Sequence, residues 1–116
     1  MIQFSETKAK DSIRTFQLTE NGMKIGFGSL NLQADGQICV RLTADGVSEK
    51  DFLFRSLLNV CMGFSNFTAV VDADTAKELG GEPYIERFSF KKNADGGYTA
   101  RIKEIQLDTC KKGERL

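Results

Sequence analysis

Between Phe52 and Phe64 the chain carries Phe52, Leu53, Phe54, Leu57, Leu58, Val60, Cys61, Met62 and Phe64, an apolar run that covers more than one side of a helix. Such a helix cannot lie on a surface; it needs a sheet on one side and further chain on another. Just before it, Val47-Ser48-Glu49-Lys50-Asp51 reads as a helix start. Ser48 is the expected N-cap, acidic groups follow in the first turn, and Val47 and Phe52 sit at hydrophobic-staple positions. Gly63 or Asn66 is expected to end it.

The flanking segments supply the sheet. Phe16 and Leu18 alternate with polar residues, Glu20-Asn21-Gly22 forms a turn, and Met23, Ile25 and Phe27 return before the apolar phase shifts to Leu30 and Leu32. That shift predicts a β-bulge near Gly28-Ser29. After a turn at Asp35-Gly36, Ile38, Val40 and Leu42 alternate, so residues 14 to 44 read as a three-stranded meander. Beyond the helix, Phe67 to Val71 reads as a strand. A brief helix capped by Asp72 or Asp74 stops at Gly80-Gly81. Tyr84, Glu86, Phe88 and Phe90 alternate with Ile85, Arg87 and Ser89 as a strand of a last hairpin, which turns at 93 to 97 and returns through Tyr98, Ala100 and Ile102. A second phase slip falls at Lys103-Glu104. The expected fold is α+β, with a mixed, mostly antiparallel sheet, the order β-β-β-α-β-α-β-β, and one long buried helix.

With 116 residues the chain has room for a single domain, 1–116, its charged end 109–116 expected to fray. Sixteen basic residues balance 16 acidic ones, which offers no electrostatic case for nucleic acid or a membrane surface. The absence of histidine excludes His-dependent triads and imidazole metal sites. Cys39, Cys61 and Cys110 form no C-x-x-C pair, and residues 1 to 10 contain no apolar signal region. The expected location is therefore cytoplasmic, with reduced thiols. The longest uncharged stretch, Ser56 to Val71, falls short of the roughly 20 apolar residues that span a bilayer.

Individual chemistry-bearing residues have plain structural readings. Tyr84 and Tyr98 are strand packing surface, and Cys39 and Cys61 are small hydrophobes. Asp72, Asp74, Glu78 and Glu82 are caps and solvated acids without the order of a calcium loop, so no metal site is expected. Lys91-Lys92 and Lys111-Lys112 lack interleaved aromatics. Gly26-x-Gly28 lies on a strand and is no dinucleotide fingerprint.

Three phrases resemble the GNAT acyl-CoA N-acyltransferase superfamily over residues 23 to 92: Lys24-Ile25-Gly26-Phe27-Gly28-Ser29-Leu30, Arg55-Ser56-Leu57-Leu58, and Ala76-Lys77-Glu78-Leu79-Gly80-Gly81-Glu82-Pro83. The resemblance implies a sheet that opens as a V between the strands at 37–44 and 67–72, with little room for the family's first strand and two early helices. It also implies acetyl-CoA as cofactor, held by a (Q/R)-x-x-G-x-(G/A) turn. Aligned on Leu57-Leu58, that motif reads Glu49-Lys50-Asp51-Phe52-Leu53-Phe54, with neither cation nor glycine, and the family's acidic tyrosine falls on Ala76. The expectation is a degenerate, non-catalytic binding or assembly module without cofactor or catalytic residues. The alternative is a divergent acetyl-CoA-dependent N-acyltransferase that holds the pantetheine arm at Arg41, Leu42, Thr43 and Ala44. Phe88, Phe90 and Tyr98 predict a homodimer through the last hairpin or the first meander. The residues name no small-molecule ligand.

Overall fold

The computed structural model describes residues 2–10 and 12–105; Cys110 and the charged end 109–116 lie outside them. The elements are β1 (Ile2–Lys10), β2 (Ile13–Glu20), β3 (Met23–Leu32), β4 (Gln37–Ala44), α1 (Val47–Cys61), β5 (Thr68–Val71), α2 (Ala73–Glu78), α3 (Glu82–Ile85), β6 (Lys91–Lys92) and β7 (Tyr98–Arg101). One seven-stranded sheet has the order β1-β2-β3-β4-β5-β7-β6. Its pairs are antiparallel except β4 with β5, which the α1 crossover makes parallel. The expected α+β architecture is the observed one.

The meander gains a strand. β1 pairs with β2 along its whole length, with a bulge between Glu6 and Lys8, and Phe4 stacks on Phe16 at 5.2 Å between ring centroids. The charges of residues 6 to 10 hid this strand, but charges are what an edge strand carries to discourage further pairing. β2 begins so soon after β1 that no helix separates them. The turn at Asn21-Gly22 is as expected, both residues having positive φ.

The bulge predicted at Gly28-Ser29 is absent; the irregularity in this pair lies between Leu18 and Thr19, opposite Lys24 to Gly26. The apolar phase shifts because β3 presents Gly26 and Gly28 to α1. A Cβ on Gly28 would lie 2.8 Å from Leu57 Cδ1, and one on Gly26 3.4 Å from Leu53 Cδ2. Glycine here seats the helix on the sheet.

α1 is the buried helix foreseen, with Leu53, Phe54, Leu57, Leu58 and Cys61 sealed against the core. Its first turn differs from expectation. Gly46 is the N-cap, Ser48 lies inside the helix, and Val47 and Phe52 are 85% and 42% exposed, so no staple forms. The helix ends at Cys61, with Met62 as its C-cap rather than Gly63 or Asn66.

The strand expected at Tyr84 to Phe90 is replaced by α3 and a 3-10 turn, Glu86–Phe88. Pro83 sits in the first turn of α3, where its fixed φ and missing N–H favour helix. The winding brings Tyr84, Phe88 and Phe90 around Phe54, with ring centroids 5.9, 5.3 and 6.1 Å away. Ser89, at φ 75°, ends the turn and leaves only Lys91–Lys92 as the outer strand of the last hairpin. The slip at Lys103-Glu104 is another 3-10 turn, Ile102–Glu104. Among the described residues, no helix is long and apolar enough to cross a membrane.

Candidate functional site

β4 and β5 pair from Gln37–Thr68 to Val40–Val71, and there the ladder stops. β5 gives way to Asp72 and α2, while β4 continues through Ala44 without a strand on that side. The Asp45 N–H donates to Ile25 C=O at 3.0 Å, so odd-numbered residues of β4 turn their backbone groups toward β3. Leu42 and Ala44 consequently turn theirs toward the opening. A cleft of about 460 Å³ lies there, bordered by Phe27, Ser29, Arg41, Thr43, Asp72 and Thr75 among others. The structure thus brings Arg41, Leu42 and Thr43 of the expected pantetheine segment to one cleft, with Ala44 in the neighbouring depression beside Ile25 and Asp45.

Asp72 ties the two sides of this opening together. Its Oδ1 accepts the Thr75 N–H at 2.8 Å and caps α2, while Oδ2 accepts from Arg41 Nε at 3.0 Å. Partial burial would raise its pKa, but the Thr75 bond and the Arg41 guanidinium outweigh this and hold it below the usual carboxylate range. Nothing in the sequence paired Arg41 with Asp72, which lie 31 residues apart.

Asp72→Ala is expected to cost about 1 kcal/mol at neutral pH, the typical loss for an N-cap. A lowered folded-state pKa means that on acidification the unfolded chain takes up the proton first. The electrostatic share of the deficit is therefore present above about pH 4 and disappears as pH falls through the folded value. Denaturant titrations of both proteins at neutral and strongly acidic pH check this; a deficit unchanged in acid would remove the charge from the explanation.

The mouth of α1 is the second feature. The residues aligned with the phosphate motif, Glu49 to Phe54, lie inside the helix, and the turn from β4 into it is Asp45-Gly46. Glu49 folds its carboxylate back over Gly46, into the space a Cβ there would occupy. Asp51 faces away from the mouth: it accepts the Tyr84 hydroxyl and Arg55 Nε, the latter at 3.0 Å. Phe54 is fully buried and blocks nothing. Lys50 joins α1 to α2 through Glu78 at 3.1 Å.

The other candidates fall into structural places. Burial, reinforced by the bond to Asp51, pushes the Tyr84 hydroxyl pKa up, so Tyr84 holds its proton. Tyr98 is sealed in the core on β7. Burial pushes the Cys61 thiol up to about 12, far from thiolate chemistry. Cys39 is half-buried on β4 and lies 3.4 Å from Gln33 Nε2. Asp74 and Glu82 stand at the starts of α2 and α3, and among the described residues no cluster of acids or thiols is arranged to hold a metal.

No protein-family model and no curated protein sequence matches the chain. Solved structures do. The N-acetyltransferase PseH of Campylobacter jejuni superposes with a TM-score of 0.53 and 15% identity, covering 78% of this chain and 67% of its own. The spermidine N-acetyltransferase of Vibrio cholerae, solved with CoA and spermine, gives 0.54 and 12%, covering 77% and 63%. Its fold is that of the GNAT acetyltransferases. A domain from Methanocaldococcus jannaschii matches equally well, at 0.52 and 10% identity over 78% of this chain and 66% of that domain. This chain thus spans about two thirds of the length of these neighbours. β5 pairs with β4 along all four of its residues and ends at Val71, so β4 is left unpaired beyond Val40 because its neighbour stops there.

Proposed function

We propose that this chain is a non-catalytic binding module on a GNAT fold, in which the route for coenzyme A is closed. The observation that carries the reading is the Glu49 carboxylate lying over Gly46 at the mouth of α1. A helix N-terminus attracts phosphate through its unpaired N–H groups and positive end. Here a carboxylate of the chain already offsets that end, and Asp45 adds a second negative charge beside it. The residues at the mouth do not fit a diphosphate. Acid catalysis lacks a donor for the same fold: Ala76 stands where the tyrosine is expected, and the Tyr84 proton is committed to Asp51.

One observation favours the acyltransferase reading instead, namely that Leu42 and Ala44 turn backbone groups into the opening, where a pantetheine arm would find partners. Calorimetry separates the two. Acetyl-CoA and free coenzyme A are expected to bind no more tightly than about 1 mM, or roughly −4 kcal/mol. Glu49→Gln is expected to tighten that binding if the carboxylate is the obstruction. A micromolar Kd for the unaltered chain, or acetyl transfer to any amine acceptor, would establish the enzyme and end the non-catalytic reading.

A further inference from the structure

α1 packs on the face of the sheet that carries Phe16, Leu18, Leu30, Val40 and Leu42. The opposite face is covered by no described helix, and its composition is biased in a way that the neutral net charge conceals. Following the register from strand to strand, Lys10, Ile13, Asn31, Cys39, Val70, Thr99 and Lys91 form one row across the whole sheet. Beside it, Lys8, Thr15, Ser29 and Arg41 form a second row across β1 to β4. Arg101 and Lys24 extend the same face. All these lysines and arginines are exposed. Among the described strand residues of this face there is no aspartate or glutamate: Glu6 and Glu20 are paired opposite Phe16 and Met23 and point to the other side. At the margin of the face, Asp72 is spent on Arg41 and on capping α2, while Asp74 and Asp45 border depressions that neither Lys10 nor Lys91 lines.

We propose that this open sheet face docks an extended acidic segment of a partner protein, laid across the strands with carboxylates on the flanking cations. Charge complementarity selects the sign of the partner, since both ends of the long row are lysines and no acid interrupts it. The middle of the row is apolar or neutral, with Ile13 47% exposed and Val70 and Cys39 half-buried, which suits uncharged side chains between carboxylates. A depression of about 400 Å³ lined by Lys8, Lys10, Ser12, Ile13 and Thr15 lies at one end. Nucleic acid fits less well. Phe27 is the one aromatic among the described strand residues here, and the Lys24 ammonium already lies over its ring at 4.5 Å from the centroid, which leaves no row of free rings for bases. The row spans roughly 29 Å at the usual strand spacing, the length of about nine extended residues. The proposal names the partner of the binding module argued above. Ser29 and Arg41 of the second row also border the cleft beside Asp72, but Lys10 and Lys91 border neither that cleft nor the mouth of α1, so charge reversal at these two lysines tests peptide binding separately from coenzyme A calorimetry.

The test is fluorescence anisotropy of a labelled peptide of about nine residues with alternating glutamate and valine. Binding is expected at low ionic strength and is expected to weaken as the Debye length falls from about 30 Å to about 8 Å near physiological salt. Lys10→Glu combined with Lys91→Glu is expected to weaken it at least about tenfold, with the glutamine pair giving a smaller loss. Lys92→Glu, one residue along but on the other face, is expected to leave affinity unchanged. The proposal is overturned by no binding at low salt, by equal binding of the glutamine-for-glutamate peptide, by equal loss in Lys92→Glu, or by tighter binding of an oligothymidylate of similar reach.

Discussion

Phe54→Ala is expected to remove about 3–5 kcal/mol of stability, enough to leave a domain of this size close to unfolding. Phe54 is wholly buried and meets Tyr84, Phe88 and Phe90, with the Phe88 ring edge-on at 78°. Together with the Tyr84–Asp51 bond and Arg55 over the Phe88 ring, it holds the segment from α3 to the last hairpin against α1. The cavity left by truncation lies between elements whose other contacts are fewer, so that segment is expected to open before the meander does. Phe52→Ala, two residues away but 42% exposed, is expected to cost less than about 1 kcal/mol. Denaturant midpoints for the two variants check the contrast. Equal losses would mean that α1 is turned differently on the sheet.

Gly28→Val is the second large effect, expected at about 1–3 kcal/mol and toward the upper end. The added Cβ meets Leu57 Cδ1 at 2.8 Å and the Arg41 carbonyl at 3.3 Å. One obstacle is a fully buried leucine and the other is backbone of the neighbouring strand, so neither can move freely. Truncating Leu57 removes one of them. Gly28→Val in a Leu57→Ala background is therefore expected to cost at least about 0.5 kcal/mol less than in the parent chain, and a double-mutant cycle reads that coupling directly. Additive losses would show that β3 and α1 do not meet at Gly28. Arg41 borders the cleft, so a shift of its carbonyl also moves one wall of the open end beside Asp72.

The aromatics that suggest a homodimer surface on the last hairpin belong to the core of the chain itself. Phe88, Phe90 and Tyr98 are 1%, 2% and 3% exposed because α1 lies over them, so they offer nothing to a second copy. On the uncovered sheet face Ile13 and Phe27 are exposed among Thr15, Gln17, Lys24, Ser29 and Thr43, so its apolar side chains stand singly among polar ones.

Local signals in the chain were sufficient wherever a few neighbouring residues decide the conformation. The apolar run from Phe52 to Phe64 dictated an enclosed helix, Asn21-Gly22 a tight hairpin, and Asp72 with Gly80-Gly81 the limits of a short helix. The sequence also showed by itself that Glu49 to Phe54 lacks the phosphate motif. Tertiary structure decided what depends on distant partners. Residues 2 to 10 became strand because Phe4 found Phe16; the Tyr84 to Phe90 alternation gave way to helix because Phe54 offered a pocket for rings one turn apart. The mouth of α1 lies at Gly46, where the Glu49 carboxylate folds back over the first turn, and Asp51 one turn on is held by Tyr84 from the distant α3. The Arg41–Asp72 tie and the acid-free row from Lys10 to Lys91 exist only once strands far apart in the chain are set in register, since periodicity tells which face of a strand a residue occupies but not which strand lies beside it.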